Sequence, residues 1–272
     1  MKNGLAMKIA TWNVNSLQVR LPQVLDWLAA HPDVAVLALQ ETKTTDEKFP
    51  RQAFAEAGYR AEIFGQKTYN GVALISRENL PTGKDVVRNI PGFEDDLARV
   101  ISACYGDLRV VGAYFPNGQE PGSDKFAYKM RWLDALRTWL QAEMARYPHL
   151  VLMGDFNITV DDRDVHDPVA LSGTIHCTEE ERAHFQALVQ LGLTDALRLH
   201  HPEPKLYSWW DYREMAFRRN RGLRIDHVLV SEALKPLCVD CVIDKAPRKN
   251  ERPSDHAPVV LEIKGPIPGF CE

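Results

Sequence analysis

Leu150-Val151-Leu152-Met153-Gly154-Asp155-Phe156-Asn157 is the stretch on which the reading of this 272-residue chain turns. Four apolar residues in succession suit a strand covered on both faces. That strand feeds a glycine, a carboxylate and an asparagine, and a turn at Gly154 is expected to expose Asp155. The same pattern recurs upstream. Lys8-Ile9-Ala10-Thr11-Trp12 reads as a strand broken by the turn formers Asn13-Val14-Asn15-Ser16. Val34 to Leu39 is a continuous apolar run ending in Gln40-Glu41-Thr42-Lys43.

Outward from these three strands, a helix is expected from Pro22 to His31, with Pro22 in its first turn, and another from Phe49 to Ala57, closed by Gly58. Strand-like runs follow at 59–64, 71–76, 100–105 and 108–115, with Pro81 and Pro91 bracketing a connection. Phe126, Met130, Leu133, Leu136, Leu140 and Met144 recur at helical spacing, so the longest helix lies between Asp124 and Tyr147 and stops at Pro148. Thr178 with Glu181 forms a capping box that opens a helix to Leu191. Arg224 to Val230 reads as a strand with Asp226 inside it, and Val259 to Ile263 is the last strand. Many strands with a few helices, no repeat and no low-complexity linker imply one α/β domain over 7–263, with two packed sheets and helices outside. Residues 1–6 and 264–272 are expected to be short flexible ends, and Met7 is an alternative start.

Bulk properties limit the function classes. The hydrophobic fraction is 45%, which is globular, and no apolar run is long enough to span a membrane. No secretion signal is legible at the start. Five irregularly spaced cysteines argue against a disulfide framework and for a reducing cytoplasm. The lone pair Cys238-Val-Asp-Cys241 reads as ordinary thiols. A net charge of −4 argues against coating nucleic acid by bulk charge. It leaves room for a local basic face beside an acidic metal centre. Arg213, Arg218, Arg219, Arg221 and Arg224 cluster, as do Lys245, Arg248, Lys249 and Arg252.

Asn13, Glu41, Asp155, Asn157, Asp255 and His256 lie at strand ends or in adjoining loops, where a rigid scaffold fixes side chains. Asp226 lies inside an apolar strand, where a carboxylate is costly unless paired or ligated. Carboxylate and amide oxygens are hard ligands suited to Mg²⁺ or Mn²⁺, and His256 offers a proton affinity near neutral pH. These spacings alone fix no metal arrangement; each residue reads as well as a cap or a buried hydrogen-bonding partner.

Together the motifs Thr11-Trp12-Asn13-Val14-Asn15, Leu39-Gln40-Glu41-Thr42-Lys43, Gly112-Ala113-Tyr114-Phe115-Pro116-Asn117-Gly118, Leu152-Met153-Gly154-Asp155-Phe156-Asn157, Ser208-Trp209-Trp210-Asp211-Tyr212-Arg213, Arg221-Gly222-Leu223-Arg224-Ile225-Asp226 and Ser254-Asp255-His256-Ala257-Pro258 closely resemble the exonuclease III family of apurinic/apyrimidinic (AP) endonucleases. That family lies within the endonuclease/exonuclease/phosphatase superfamily. The resemblance runs from about residue 7 to 263 and implies a four-layered α/β sandwich and a Mg²⁺-dependent DNA repair nuclease, with Mn²⁺ as a substitute. By the same resemblance Glu41 is the principal metal ligand, aided by Asn13 and Asp255. Asp155 positions or deprotonates the attacking water, which Asn157 orients. His256 contacts the scissile phosphate with Asp226 as its carboxylate partner, and Tyr114 donates its hydroxyl to the same phosphate.

The resemblance also implies a double-stranded DNA substrate with 3′ ends or abasic sites, a monomer and a cytoplasmic location. Trp209, with Leu223 and Ile225, matches the wall of a pocket for a flipped-out sugar, and Arg213, Arg218, Arg219 and Arg221 would hold backbone phosphates. Asp46, Lys48, Tyr69 and Asn70 sit on other loops facing the DNA. One departure is His176, bulky where relatives carry small residues or a differently shaped loop. Pointing inward, it would favour 3′→5′ exonuclease activity over incision at an internal abasic site; pointing to solvent or a phosphate, it would leave a fully active AP endonuclease. An RNA or inositol-phosphate phosphoesterase is a further reading, and a catalytically dead DNA-binding module a third.

Overall fold

The computed structural model describes residues 6–270. Its strands in chain order are β1 (Met7–Asn13), β2 (Val34–Gln40), β3 (Tyr59–Phe64), β4 (Val72–Arg77), β5 (Lys84–Arg88), β6 (Val100–Tyr105), β7 (Leu108–Tyr114), β8 (His149–Asp155), β9 (Leu193–Asp195), β10 (Asp226–Ser231), β11 (Cys238–Ile243) and β12 (Val259–Ile263). They form two six-stranded sheets, ordered β11-β12-β1-β2-β4-β3 and β5-β6-β7-β8-β10-β9. Each sheet has one parallel pair near its centre, β1 with β2 and β7 with β8, and antiparallel neighbours elsewhere.

Period-two alternation decides which side chain serves which layer. In β1, Ile9 joins Val36, Ala38 and Leu74 between the sheets, where Val110, Val151, Met153 and Val228 meet them. Ala10 and Trp12 turn outward to Val24, Trp27 and Leu28 of helix α1 (Leu17–Ala30) and Phe54 of α2 (Arg51–Glu56). In β8, Leu150 and Leu152 turn the other way, to Leu133, Leu136 and Leu140 of α3 (Asp124–Arg146) and Phe185 and Leu188 of α4 (Glu179–Gln190). The result is helix, sheet, sheet, helix: the four-layered α/β sandwich. Gly112 lets the sheets close up, since a Cβ there would stand 3.1 Å from Leu74 Cδ2 and 3.3 Å from Ala38 Cβ.

Local chemistry sets the helix ends. Ser123 accepts a hydrogen bond from the Phe126 amide at the start of α3, with Asp124 in the first turn and Arg146 in the last, both complementary to the helix dipole. The capping box expected at Thr178 and Glu181 is present.

The structure differs from the sequence reading in five places. Helix α1 starts at Leu17, and Pro22 lies inside it rather than in its first turn. Backbone bonds from Ser16 to Glu41 and from Leu17 to Thr42 fix the entry early, and Pro22 then removes one bond from the helix. Gly154 is not a turn: it lies within β8, where a Cβ would be 1.8 Å from the Ala113 carbonyl oxygen. Asp155 is consequently the last residue of a strand and only 2% exposed. Asp226 opens β10 rather than lying in its interior. Strands β5, β9 and β11 and the short helix α5 (Ala196–His200) add to the expected elements. Finally, residues 264–270 do not behave as a loose end. Ile267 and Phe270 are buried in the inter-sheet core, and the Asp107 amide donates to the Pro268 carbonyl.

On β11, Cys238 is half-buried and Cys241 buried; a register shift between Cys238 and Asp240 brings both to the inter-sheet core, and both are free thiols. Among the described residues no helix is long and apolar enough to cross a membrane.

Candidate active site

The strand directions bring the chemical residues to one rim. Asn13 ends β1, pairing with Gln40 at the end of parallel β2, and Glu41 follows. Tyr114 ends β7 opposite Asp155 at the end of parallel β8. Strand β10 runs antiparallel to β8, so its first residue, Asp226, faces Asp155. Strand β12 runs antiparallel to β1, which puts the segment entering it, with Asp255 and His256, at the same end.

The side chains then interlock. Asn13 Nδ2 donates to Glu41 Oε1 and Asp155 Oδ2, both at 2.9 Å. Asp155 Oδ1 accepts from the Asn157 amide at 3.0 Å, and Oδ2 lies 3.6 Å from His256 Nε2. On its other side the His256 ring meets Asp226, Nδ1 to Oδ2 at 2.8 Å. Ser208 Oγ donates to that same carboxylate at 2.7 Å. Asn157, at φ 51°, donates from Nδ2 to the Phe115 carbonyl at 3.0 Å.

Electrostatics follow from burial. Burial raises the Asp155 carboxyl to about 7; the His256 charge opposes the shift and Asp226 adds to it. Burial also disfavours charge on His256, but the Asp226 and Asp155 carboxylates outweigh it and hold the ring protonated. Asp226 therefore fixes Nδ1 as a donor and aims Nε2–H toward Asp155. Burial, then the Glu41 and Asp155 charges, push the Tyr114 hydroxyl well above its usual range, so it stays a donor. The Arg99 guanidinium lies 5.1 Å over the Tyr114 ring.

Glu41, Asp155 and His256 each offer an atom within 4.8 Å of the others. Two of these are hard carboxylate ligands, and Glu41, at φ 49°, is held out of a regular strand toward them. The donor set fits a divalent oxygen-seeking cation, with the half-buried Glu41 as the residue to hold it. Lys43 Nζ stands 3.2 Å from Glu41 Oε2 and 2.7 Å from Asn15 Oδ1, balancing part of that negative charge. Asn13 is in the cluster, but its NH₂ faces the carboxylates while its Oδ1 accepts from the Asn15 amide. Asp255 lies outside it: its two oxygens accept from Asn15 Nδ2 at 3.1 Å and Trp209 Nε1 at 2.9 Å. It thereby ties the neighbouring cleft to the rim.

That cleft, of about 570 Å³, is lined by His176, Trp209, Leu223, Arg213 and Arg221 among others. Ile225 sits behind it, buried with Val165, Cys177 and Leu223. His176 points into the cleft wall rather than to open solvent. Its Nδ1 meets the Asn157 carbonyl oxygen at 2.7 Å, and its own carbonyl accepts from the Thr159 amide and hydroxyl. Burial, then the Lys129 charge, lower its imidazole to about 4, so the ring is neutral at physiological pH.

The basic residues divide. Arg213, Arg218, Arg219 and Arg221 are exposed beside the cleft, with Arg213 touching Asp211 and Arg221 touching Glu214. Arg224 is buried on Asp164 and Asp195, and Arg248 is buried against Phe217 and the Ser254 carbonyl. Neither is a free cation for a polyanion. Tyr69 is exposed, whereas Asn70 is buried on Gln66 and Asp46 binds the Gly65 amide.

Sequence reasoning missed Lys129. It is buried on α3, and its Nζ reaches the Asn117 and Asn157 carbonyls at 3.2 and 2.8 Å and the Glu181 carboxylate. The signal was present, because Lys129 falls three residues after Phe126 and four before Leu133, on the apolar face. Ser208 and Asn15 lie inside quoted motifs without a role assigned to them.

Residues 10–256 match the Endonuclease/Exonuclease/phosphatase family. The chain is 36% identical to an exodeoxyribonuclease III of Haemophilus influenzae, over 95% of this chain and 100% of the relative. Among solved structures it is similar to the Neisseria 3′ phosphatase NExo bound to a product DNA hairpin, at 48% identity and a TM-score of 0.92, covering 94% of this chain and 99% of that one. It is also similar to an AP endonuclease from Archaeoglobus fulgidus, at 36% identity and a TM-score of 0.89, over 94% and 99% of the two chains. With the carboxylate, histidine and tyrosine groups gathered on one rim, these likenesses show that the chain belongs to the Endonuclease/Exonuclease/phosphatase family and, within it, is a phosphodiesterase nuclease of the exodeoxyribonuclease III and AP endonuclease type.

Proposed function

We propose that the chain is a Mg²⁺-dependent DNA repair nuclease that works from 3′ ends of double-stranded DNA, as a 3′→5′ exonuclease and end-cleaning enzyme, with weak incision at internal abasic sites. The observation that carries the end preference is His176: a ring pinned to the Asn157 carbonyl within the wall of the cleft beside Trp209. An internal abasic sugar must swing wholly out of the duplex into that cleft, whereas a terminal nucleotide is tethered on one side only. The likeness to a Neisseria 3′ phosphatase supports end-directed chemistry.

The roles follow from the geometry. A phosphodiester is already anionic, so its hydrolysis needs groups that offset the charge growing on the phosphoryl oxygens. His256, held protonated between two carboxylates, and the Tyr114 hydroxyl supply donors. Asp155 is the base for the attacking water, because burial brings its carboxyl close to neutrality, and Asn157 orients that water. Asp226 and Ser208 hold the His256 ring in place. Mg²⁺ held by Glu41 would supply Lewis-acid stabilisation of the phosphoryl oxygen. Arg213, Arg218, Arg219 and Arg221 hold duplex phosphates.

The test compares two labelled duplexes, one with an internal tetrahydrofuran abasic analogue and one with a recessed 3′ end, in Mg²⁺ and in EDTA. Laddering from the 3′ end with little incision is expected, with both lost in EDTA. His176→Gly should then raise incision by at least about tenfold, the effect of relieving roughly 1.4 kcal/mol of steric penalty. Fast incision by the unaltered protein would instead favour a fully active AP endonuclease. The likeness to the Archaeoglobus enzyme and the Trp209 wall support that second reading.

A further inference from the structure

Arg99 stands directly before β6 and is fastened to Tyr114 along the backbone. Its carbonyl accepts from the Tyr114 amide at 2.7 Å, and its Nη1 donates to the Tyr114 carbonyl at 3.4 Å. The guanidinium lies over two aromatic rings, its central carbon 5.1 Å from the centroid of Tyr114 and 5.9 Å from that of Tyr128. Its buried Nε has no hydrogen-bond partner. The Asp95 carboxylate of the preceding loop is taken up by the Tyr128 hydroxyl and the Leu97 amide. That loop holds the cage from behind. Asn89 Oδ1 accepts from the Arg99 amide at 3.3 Å, and Asn89 Nδ2 donates to the Asp95 carbonyl at 2.7 Å. Tyr128 comes from α3 and packs on Phe93, with ring centroids 6.1 Å apart. The Tyr114 hydroxyl meets the opposite sign, the charges of Glu41 and Asp155. A cation over a phenol face attracts its π electrons. Density is thereby drawn from the phenolic oxygen, and its O–H becomes a stronger donor.

We infer that Arg99 is a positioning residue for phosphodiester hydrolysis: its guanidinium, held over the Tyr114 face, fixes that ring and strengthens its hydroxyl as a donor to the scissile phosphate. Arg99 acts through Tyr114 and does not itself touch the substrate. The benefit grows with the charge on the phosphoryl oxygens, so it is felt in the transition state more than in the bound substrate. It therefore belongs to kcat rather than to KM. This inference rests on the reading of Tyr114 as a donor to the phosphate.

The test is a double-mutant cycle, with kcat and KM measured on the recessed 3′ duplex in Mg²⁺ for Arg99→Met, Tyr114→Phe and the two combined. Arg99→Met should lower kcat roughly two- to thirtyfold with KM little changed, the range of a cation lost from an aromatic face. Once Tyr114→Phe has removed the hydroxyl, adding Arg99→Met should lower kcat by less than about twofold more. Arg99→Lys returns a cation to the cage and should recover most of the rate. If thermal melting shows that Arg99→Met is unfolded, Arg99→Gln takes its place in the cycle. An Arg99→Met effect of equal size with and without the Tyr114 hydroxyl overturns the inference. So does a loss confined to KM with a shallower salt dependence, which marks a lost contact to a DNA phosphate. Arg99→Lys that melts like the unaltered protein yet stays as slow as Arg99→Met overturns it as well. Tyr114→Phe with unchanged kcat counts separately, against the reading of Tyr114 as a phosphate donor.

Discussion

Replacing Lys129 with Met removes an ammonium whose side chain, like that of its partner Glu181, is fully buried. Three acceptors lose a bond to it at once: the Asn117 carbonyl, the Glu181 carboxylate and the Asn157 carbonyl, the last of which keeps His176 Nδ1. Glu181 keeps the Thr178 amide and hydroxyl, so its charge is solvated on one side only. Breaking a buried pair from one side costs about 3–5 kcal/mol, because the remaining charge has no counterion. For a domain of this size each kcal/mol moves the melting midpoint by roughly 2–4 °C, so a fall of about 6–20 °C is expected. The double variant Lys129→Met with Glu181→Leu removes both charges and should recover much of that loss, short of about 1 kcal/mol for the capping box. Recovery of stability should not bring recovery of rate. The Asn157 carbonyl still lacks its ammonium partner and keeps only His176 Nδ1, and Asn157 is the residue proposed to orient the water. Thermal melting of the two single variants and the double variant, with exonuclease kcat beside it, makes the measurement. A single Lys129→Met variant that melts within about 3 °C of the unaltered protein, an effect of about 1 kcal/mol, would refute the claim that this pair is an uncompensated buried charge when broken.

Asp164 gives an acid-limb prediction. Burial alone would raise its carboxyl, but the Arg224 charge and hydrogen bonds, with Arg198 beside them, hold it at about 2. A depressed folded value means stabilisation that is fully present above the unfolded value near 4 and lost as pH falls toward 2. Urea unfolding between pH 5 and 2 should therefore show a steep loss that Asp164→Asn flattens, from a lower starting stability; an unchanged slope would contradict the assignment. Asp226→Asn leaves the shape of the site but offers the His256 ring a neutral partner. Exonuclease kcat should fall by about 10²–10⁴ with KM little altered, and a fall confined to KM would mean that Asp226 serves binding.

What the sequence made legible was what local chemistry decides. Leu150 to Met153 and Val34 to Leu39 are apolar without interruption because both faces of a central strand are covered, and they read as strands for that reason. The Thr178 and Glu181 box is a local hydrogen-bond pattern and was visible as such. Helix α1 was misplaced because its start is set by backbone bonds to Glu41 and Thr42, partners more than twenty residues away that no window around Pro22 contains. Gly154 read as a turn because a glycine before a polar pair usually is one; here it relieves a clash with β7, a contact between strands far apart in sequence. The tail from Lys264 looked loose by composition, yet Ile267 and Phe270 fill the inter-sheet core. In the site, types and motifs were readable but partners were not. Nothing in Asp255-His256 says that the aspartate turns to Trp209 and Asn15 while the histidine turns to Asp226 and Asp155.

The topology explains why chemistry collects where it does. A parallel pair delivers both of its C-terminal ends to one side of a sheet, and ligands gather at such ends in open α/β sheets. This chain has two such pairs, β1 with β2 and β7 with β8, packed face to face so that Asn13, Glu41, Tyr114 and Asp155 arrive at a shared rim. Antiparallel neighbours then contribute from the opposite chain direction: β10 brings Asp226 by its first residue and β12 brings His256 by the turn before it. Each sheet alone supplies only half of the set. Glu41 and Asn13 come with one sheet and Asp155 and Asp226 with the other, and the Asn13 amide spans the join by donating to a carboxylate on each side. Any change that slides one sheet over the other should therefore silence hydrolysis before it unfolds the chain. Gly112 is the position to probe, because a Cβ there meets Leu74 and Ala38 of the facing sheet.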